Sequence, residues 1–393
     1  MSAPGATVVI GGGPAGALAA AQLAATGAPV TLVDERLAWE KPCGGGVTAK
    51  ALEQFPQLQA SGCPRNVVRE CELISPAGRR ALLPLDRPLA IFSRADLNAL
   101  LLDQARTSGA AILHDRITGA EPGPAGWRLH RRGGGVLDAA RLVIASGART
   151  ALAGPWTATC REGGWMATVG YYIPLERVPW PSGRMLIRFL PGLEGYLWSF
   201  PRTDHASVGA CAALGSPPTA ALRARLEAAL DEMGAEWRGA PFYSHLLPAP
   251  TPPALARAQF EGAAPHPWAL VGDAAGLVDP LTGEGLYYAL RSAALLAGAW
   301  NAPAPAAAGV YAARLRRELV PELTAAANLV ERFYHARFLG RPALERMAGF
   351  AQASPRFRKL MCDLFSGAQG YLGLRARLYR QLLPTLWELA WKS

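Results

Sequence analysis

In this chain of 393 residues, the strongest indication of the fold is the segment Thr7-Val8-Val9-Ile10-Gly11-Gly12-Gly13-Pro14-Ala15-Gly16. An apolar run precedes G-x-G-x-x-G, and the alanine-rich segment 14–25 follows, which predicts a buried strand, a tight turn and a helix. Gly11 permits the bend, Gly13 lets the backbone approach a pyrophosphate, and Gly16 allows close packing of helix on strand. The helix start offers N–H groups and the positive end of its dipole to phosphates.

The residues after this helix complete a β-α-β unit. A second buried strand is predicted at 30–33, and the acidic pair Asp34-Glu35 follows it. In dinucleotide-binding folds a carboxylate at this place accepts hydrogen bonds from the adenosine ribose. The spacing favours Asp34, with Glu35 as the second choice. We therefore predict a bound dinucleotide, and the alternative interpretation is a glycine-rich turn without a ligand.

A second motif, L-V-G-D-A-A at 270–275, distinguishes FAD from NAD. It lies at the end of a strand predicted at 268–271, and Asp273 is placed to bind the ribityl hydroxyls of a flavin. The following P-L-T-G-E-G at 280–285 opens a helix predicted at 285–300. The start of that helix offers N–H groups to the N1/C2=O edge of the flavin, where reduced flavin carries negative charge. The two motifs together predict FAD.

Both motifs, with Arg94 in S-R-A-D-L at 93–97, resemble the flavoprotein hydroxylase superfamily. The resemblance implies that Arg94, which opens a predicted helix at 94–108, contacts the cofactor. A surface ion pair with Asp96 is the alternative role for Arg94. Many members of the superfamily carry Asp-Gly after the returning strand, whereas this chain has Ala-Ser-Gly-Ala at 145–148. That departure weakens one expected cofactor contact, although Gly147 keeps the turn.

Two further segments narrow the resemblance to one family. K-P-C-G-G-G at 41–46 is similar to a loop of the geranylgeranyl reductase family, which saturates double bonds in isoprenoid chains. Y-L-W-S-F-P at 196–201 is similar to an aromatic strand of the same family, and the resemblance extends to the tail at 354–371. It implies FAD-dependent reduction of carbon–carbon double bonds in a geranylgeranyl-type chain or related lipid. A nicotinamide, ferredoxin or reduced flavin would be the electron donor.

The candidate catalytic residues are Cys43, Tyr196 and Trp198. An isolated alkene accepts a hydride poorly. The protein must therefore supply an acid, and side chains around the alkene that stabilise positive charge on carbon. Tyr196 and Trp198 share one face of a strand, and their rings would line an apolar tunnel and stabilise a developing cation. Cys43 would lie near the flavin and take part in protonation or substrate positioning. The structural alternatives are core packing for these rings and Phe200, and a small residue in a crowded loop for Cys43.

The predicted cofactor-binding residues come from all of these motifs. They are Gly11, Gly13, Ala15, Gly16, Asp34, Glu35, Cys43, Gly44, Arg94, Gly272, Asp273, Gly283 and Gly285. The six histidines are dispersed and the six cysteines form no C-x-x-C pair, so no metal site is expected.

The expected fold class is α/β, with a Rossmann-like FAD-binding domain interleaved with an antiparallel-sheet substrate domain, plus C-terminal helices. The FAD-binding domain is assigned to residues 1–65, 94–155 and 262–300. The substrate domain is assigned to residues 66–93, which include a predicted hairpin, and 156–261, where aromatic and β-branched runs predict strands. Residues 301–393 form the C-terminal region, and the chain is expected to be all-helical from Tyr311 onward.

The net charge of +10 comes from 40 Lys and Arg residues against 30 Asp and Glu residues. Basic residues concentrate after Arg314 without any nucleic-acid motif, so we expect no nucleic acid. The charge is compatible either with compositional bias or with attraction to anionic head groups or phosphorylated substrates. No transmembrane segment or signal peptide is recognised. We expect a cytoplasmic protein, with peripheral contact to a membrane surface as the alternative.

Two rival functions stay open. The first is a flavin-dependent monooxygenase (hydroxylase) acting on an apolar substrate, which predicts an oxygenated product. A halogenase on the same scaffold needs a lysine near its active site, and this chain has no lysine between Lys50 and Lys359. The second rival is a non-catalytic prenyl-binding escort protein, which would dispense with flavin. Intact cofactor motifs at both ends of the chain argue against it.

Overall fold

The computed structural model describes residues 6–148, 152, 164–262, 265–301, 309–338 and 340–381. Every predicted site residue lies within these ranges, whereas Cys160 and the apolar segment 382–391 lie outside the described residues.

The strands are β1 (Thr7–Ile10), β2 (Val30–Asp34), β3 (Gly46–Val47), β4 (Arg65–Ile74), β5 (Arg80–Phe92), β6 (Ala111–His114), β7 (Ile117–Gly123), β8 (Gly126–Arg131), β9 (Val136–Ala139), β10 (Arg141–Ile144), β11 (Gly164–Pro174), β12 (Arg184–Arg188), β13 (Gly195–Pro201), β14 (His205–Ala213), β15 (Phe242–Ala249), β16 (Glu261–Gly262), β17 (Trp268–Leu270), β18 (Arg337–Phe338) and β19 (Arg341–Pro342). The α-helices are α1 (Pro14–Ala24), α2 (Ala49–Gln54), α3 (Gln57–Ala60), α4 (Arg94–Thr107), α5 (Thr219–Glu232), α6 (Pro252–Arg257), α7 (Leu286–Trp300), α8 (Val310–Glu318), α9 (Val320–Ala327), α10 (Val330–His335), α11 (Ala343–Ala353) and α12 (Pro355–Phe365).

The chain forms two compact units. Unit 1 comprises residues 1–41, 94–164 and 248–327, and unit 2 comprises residues 42–93, 165–247 and 328–393. Residues 42–65 therefore group with the antiparallel-sheet unit, and the C-terminal third divides after residue 327. As functional domains, the ranges given from the sequence stay a prediction.

Unit 1 contains the parallel sheet that the glycine motif predicts. Its strand order is β16-β17-β10-β1-β2-β6, and β1 pairs in parallel with both β2 and β10. All four residues of β1 are buried, as expected for a central parallel strand covered on both faces. The small side chains of α1 let it pack closely against α4 and α7. The loops after β1, β10 and β17 all leave the sheet at its carboxyl edge, where ligands bind in this class of fold.

Unit 2 is built on an eight-stranded, mainly antiparallel sheet of order β15-β11-β14-β13-β12-β4-β5-β3. The predicted hairpin in this region is confirmed by the antiparallel pairing of β4 and β5. Leu197 of β13 and Val208 of β14 belong to a core cluster with Leu226 of α5 on one face of the sheet. Because side chains alternate along a strand, the aromatic residues of β13 lie on the opposite face.

The fold class predicted from the sequence is confirmed, but one detail of the C-terminal region is wrong. The chain after Tyr311 is not all-helical, because β18 and β19 form a short antiparallel pair around Gly340. Gly340 has a φ of 76°, a conformation that ends helical structure readily in glycine, and Pro342 starts the next helix as its N-cap. Within the described residues, no helix combines the length and the apolar character needed to cross a bilayer.

Candidate functional site

The glycine turn of unit 1 has the geometry that its sequence predicts. A Cβ placed on Gly11, whose φ is 110°, would lie 2.3 Å from the carbonyl oxygen of Ala145, and a Cβ on Gly16 would lie 1.9 Å from the carbonyl oxygen of Gly11. Gly11 and Gly16 are therefore required by backbone contacts. No atom of the described residues lies within 4 Å of the place where a Cβ of Gly13 would stand. The turn thus leaves open space in front of Gly13, at the start of α1.

Asp34 connects the glycine turn to the loop after β2. Its carboxylate accepts a hydrogen bond from the backbone N–H of Gly12 at 2.7 Å, and two more from the N–H groups of Arg36 and Leu37 at 2.7 and 2.6 Å. The Glu35 carboxylate instead pairs with Arg132 at 3.1 Å. Of the two acidic residues, Asp34 lies against the glycine turn, which favours it for the predicted ribose contact.

The second motif packs directly on the first. A Cβ on Gly272, which has a φ of 60°, would lie 3.1 Å from the Cβ of Ala15. The backbone N–H of Gly272 donates to the buried hydroxyl of Ser292 at 3.0 Å. Asp273 follows, and its Oδ2 accepts a hydrogen bond from the Lys41 ammonium at 2.9 Å. The predicted ribityl-binding carboxylate is therefore already held by a cation.

The start of α7 is shaped by a tight acidic loop. Asp279 is 3% exposed, and its carboxylate accepts hydrogen bonds from the backbone N–H groups of Leu281 and Thr282 at 2.8 and 3.2 Å. Gly283 has a φ of 70°, and its N–H donates to the Asp279 carbonyl. α7 then begins after Gly285 without a side-chain cap. The first N–H groups of this 15-residue helix point towards the loop that carries the second motif, and no side chain of the described residues caps them.

Arg94 is buried and opens α4. Its backbone N–H donates to the carboxylate of Glu40 at 2.9 Å, and its Nη2 donates to Asn98 at 3.3 Å. Because Arg94 is only 3% exposed, a surface ion pair with Asp96 does not describe it. Among the described residues, Arg94 Nε and the hydroxyl of Ser146 are buried polar atoms without a hydrogen-bond partner. Native structures seldom leave such atoms unpaired, so these two atoms indicate a partner from outside the described residues, either a ligand or a water molecule.

In unit 2, the Cys43 loop is fixed by its backbone. The carbonyl oxygen of Cys43 accepts hydrogen bonds from Arg202 Nη2 at 2.7 Å and from the Ser207 hydroxyl at 3.0 Å. The Cys43 Sγ accepts the backbone N–H of Gly45 at 3.3 Å. Ser207 also bonds to the Tyr243 hydroxyl at 2.9 Å. Burial raises the pKa of Tyr243 well above its ordinary value, so this hydroxyl stays protonated.

The aromatic face of unit 2 is made of rings that lie on glycines. A Cβ on Gly209 would lie 2.4 Å from the Trp198 ring, and a Cβ on Gly44 would lie 2.2 Å from the Phe200 ring. Trp198 is 6% exposed, and among the described residues its indole Nε1 has no hydrogen-bond partner. Tyr196 is half-buried, and its ring lies 6.1 Å from that of Trp198, edge to face. The two predicted catalytic rings are therefore brought together.

Comparisons with known proteins agree with this geometry. A family model described as pyridine nucleotide-disulphide oxidoreductase matches residues 5–158. A menaquinone reductase from Mycolicibacterium smegmatis is 30% identical over 312 residues, which cover 74% of this chain and 75% of that protein. Geranylgeranyl diphosphate reductases also match, at 25–28% identity over 72–74% of this chain. The chain belongs to the geranylgeranyl reductase family. The resemblance read from the cysteine loop and the aromatic strand is thereby confirmed.

Two further relatives bear on the family assignment and the fold. A geranylgeranyl diphosphate reductase from Synechocystis is 27% identical over 317 residues, covering 74% of this chain and 73% of that one. A geranylgeranyl bacteriochlorophyll reductase-like protein from Thermoplasma acidophilum shares the fold, with a TM-score of 0.77 and 17% identity over 96% of this chain and 99% of that one. The protein is an FAD-dependent oxidoreductase, and FAD is its cofactor.

Unit 1 fits FAD on three observations. There is open space in front of Gly13, the helices α1 and α7 begin without side-chain caps, and two buried polar atoms of the described residues lack partners. Gly11, Gly13 and the start of α1 would hold the pyrophosphate. Asp34 would bind the ribose, Asp273 the ribityl chain, and the start of α7 the flavin edge. These residue roles stay predictions.

Several residues at these sites were not among the sequence-based candidates. Lys41 had a signal, because it belongs to the cysteine-loop motif, and Arg202 directly follows the aromatic motif. Ser207, Tyr243 and Ser292 carry no recognisable pattern. Their roles depend on strand register and on helix packing, which bring residues together that are far apart in the sequence.

Proposed function

We propose that the protein uses reduced FAD to saturate carbon–carbon double bonds in an isoprenoid chain. The relatives support this proposal by their names, geranylgeranyl diphosphate reductase and menaquinone reductase. Geranylgeranyl diphosphate and menaquinone both contain an isoprenoid chain. The shared chemistry of the proposed substrate is therefore that chain, with either a diphosphate or a quinone as its head group.

The aromatic face of unit 2 is the observation that carries the proposal. Trp198 and Phe200 lie on the same face of β13. The Trp198 ring packs on Gly209 and the Phe200 ring on Gly44, so that both rings lie close to the backbone. Phe189 extends this face, since its ring lies 6.4 Å from that of Tyr196 and 5.5 Å from that of Phe333. An apolar surface of this kind suits an isoprenoid chain, and its ring faces favour positive charge on a carbon atom.

The proposed step adds a hydride and a proton across one double bond. Reduced FAD supplies the hydride, and the two electrons are later restored by an external donor of the nicotinamide, ferredoxin or flavin class. Cys43 is the proposed proton donor or positioning residue. Its carbonyl is held by Arg202 and Ser207, and its Sγ by the N–H of Gly45, so that the thiol has a defined position. Tyr196 and Trp198 would exclude water from the reacting carbons.

The test is an anaerobic single-turnover experiment. The holoenzyme is reduced with dithionite and mixed in turn with geranylgeranyl diphosphate and with menaquinone. The proposal expects the oxidised flavin spectrum to return with geranylgeranyl diphosphate. Once ferricyanide has oxidised any menaquinol back to the quinone, mass spectrometry should find products of both substrates that have gained two hydrogen atoms for each chain double bond reduced. A flavin that stays reduced until oxygen is admitted, with a product that contains oxygen, would instead establish the monooxygenase.

Matched cysteine variants test the role of Cys43. Cys43→Ser should slow flavin reoxidation by substrate roughly 100-fold or more, within the range for loss of a general acid. Cys63→Ser is the control, because Cys63 is likewise a partly exposed cysteine of unit 2. Equal rates for the two variants would remove Cys43 from the reaction while leaving the substrate assignment intact.

A further inference from the structure

We propose that Lys41 is a phosphate-binding residue for FAD, and that its ammonium offsets part of the negative charge of the pyrophosphate. Lys41 is the last residue of unit 1 before the chain enters unit 2. Its ammonium is held 2.9 Å from Asp273 Oδ2, and both side chains are largely buried, with exposures of 19% and 12%. The contact joins residues that are 232 positions apart. The ammonium is therefore fixed by the fold at the cofactor motif and is not a freely moving surface charge.

The ammonium keeps unused donors on the ligand side of the sheet. Among the described residues, Asp273 is the hydrogen-bond acceptor that Lys41 Nζ contacts, which leaves two of its three N–H donors for a ligand. Nζ lies 3.8 Å from the place where a Cβ of Gly147 would stand. Gly147 belongs to the loop after β10, and Ala145 of that loop contacts Gly11 of the glycine turn. Lys41 thus shares the carboxyl edge with the pyrophosphate-binding motif.

Several carboxylates lie near the carboxyl edge of the parallel sheet, and a cation there would favour binding of an anionic cofactor. The carboxylates of Asp34, Glu40 and Asp279 accept hydrogen bonds from backbone N–H groups, whereas Asp273 is held by Lys41. FAD adds two negative charges through its pyrophosphate. Backbone N–H groups at the start of α1 would bind phosphate oxygens, but they carry only partial charge. Lys41 carries a full positive charge that a phosphate would share with Asp273, and lysine binds phosphate as a point charge.

The experiment titrates FAD into the full-length apoprotein and monitors binding by the quenching of flavin fluorescence. Lys41→Met should raise the dissociation constant roughly 10- to 100-fold, the range for one hydrogen bond between charged groups. It should also make the dissociation constant less sensitive to salt, because one ionic contact is lost. Lys41→Arg should restore most of the affinity, since arginine also binds phosphate. Lys359→Met is the matched control, because Lys359 pairs with Asp86 and Asp363 in unit 2.

ADP, measured as a competitor of FAD, separates a phosphate contact from an effect through Asp273. ADP carries the pyrophosphate but lacks the ribityl chain and the flavin. In Lys41→Met, the proposal expects the dissociation constant of ADP to rise by a factor similar to that for FAD. In Lys41→Met/Asp273→Asn, the affinity for ADP should stay low. Three results would overturn it: unchanged FAD affinity in Lys41→Met, an equal loss in Lys359→Met, or wild-type ADP affinity in the double variant. None of these readouts depends on which substrate the enzyme reduces.

Discussion

Replacing Gly44 by alanine tests the contact that fixes the cysteine loop of unit 2 against its aromatic strand. The three atoms nearest to a Cβ at Gly44 all belong to the Phe200 ring, at 2.2, 2.6 and 3.4 Å. Carbon atoms pack at about 3.5–4.0 Å, so the ring must move by about 1 Å or more. Such overpacking costs about 1–3 kcal/mol, which corresponds to a fall in melting temperature of roughly 2–10 °C for a domain of this size.

The assay is calorimetric unfolding of the FAD-loaded protein as a double-mutant cycle. In a Phe200→Ala background the ring is gone, and Gly44→Ala should then change the unfolding free energy by less than about 0.5 kcal/mol. Gly62→Ala serves as the control, because a Cβ there would meet nothing within 4 Å. The packing of Phe200 on Gly44 would be refuted if Gly44→Ala lowered the free energy of unfolding equally in both backgrounds, or did not lower it in the wild type.

Three further predictions concern the site. Arg94→Met should raise the FAD dissociation constant by roughly 10- to 100-fold, measured by fluorescence quenching, and undiminished affinity would mean that the buried guanidinium does not bind FAD. Trp198→Phe removes an indole N–H that has no partner among the described residues, so the melting temperature should hold while KM for the isoprenoid substrate rises. A large loss of stability with unchanged KM would assign Trp198 to the core instead. Iodoacetamide at neutral pH should label Cys43 but not Cys211, because burial raises the pKa of Cys211 from 9.0 to about 12. Between pH 9 and about 12 the Cys211 thiol is ionised in the unfolded chain but not in the folded protein, so the free energy of unfolding falls as the pH rises. Melting temperatures measured across this pH range should fall less steeply in Cys211→Ala.

The short motifs were readable from the sequence because their chemistry is local. The glycine turn needs three glycines at fixed spacing to allow the bend, the phosphate approach and the helix contact, and the structure places backbone atoms within 2.3 Å of where side chains at Gly11 and Gly16 would stand. That Tyr196 and Trp198 lie on one face of β13 is likewise a local property, because side chains alternate between the two faces of a strand. The C-terminal hairpin at β18 and β19 escaped prediction, since two-residue strands have no periodicity to detect.

The fold class, the cofactor and the family are predictable from the linear pattern, because the glycine turn and each flavin-binding motif are short contiguous segments. The contacts between side chains that are far apart in the sequence are visible in the three-dimensional structure alone. Asp34 and not Glu35 lies on the glycine turn, Lys41 holds Asp273, and Arg202 holds the Cys43 carbonyl. These contacts follow from the order of strands in two separate sheets, and a linear pattern does not specify that order.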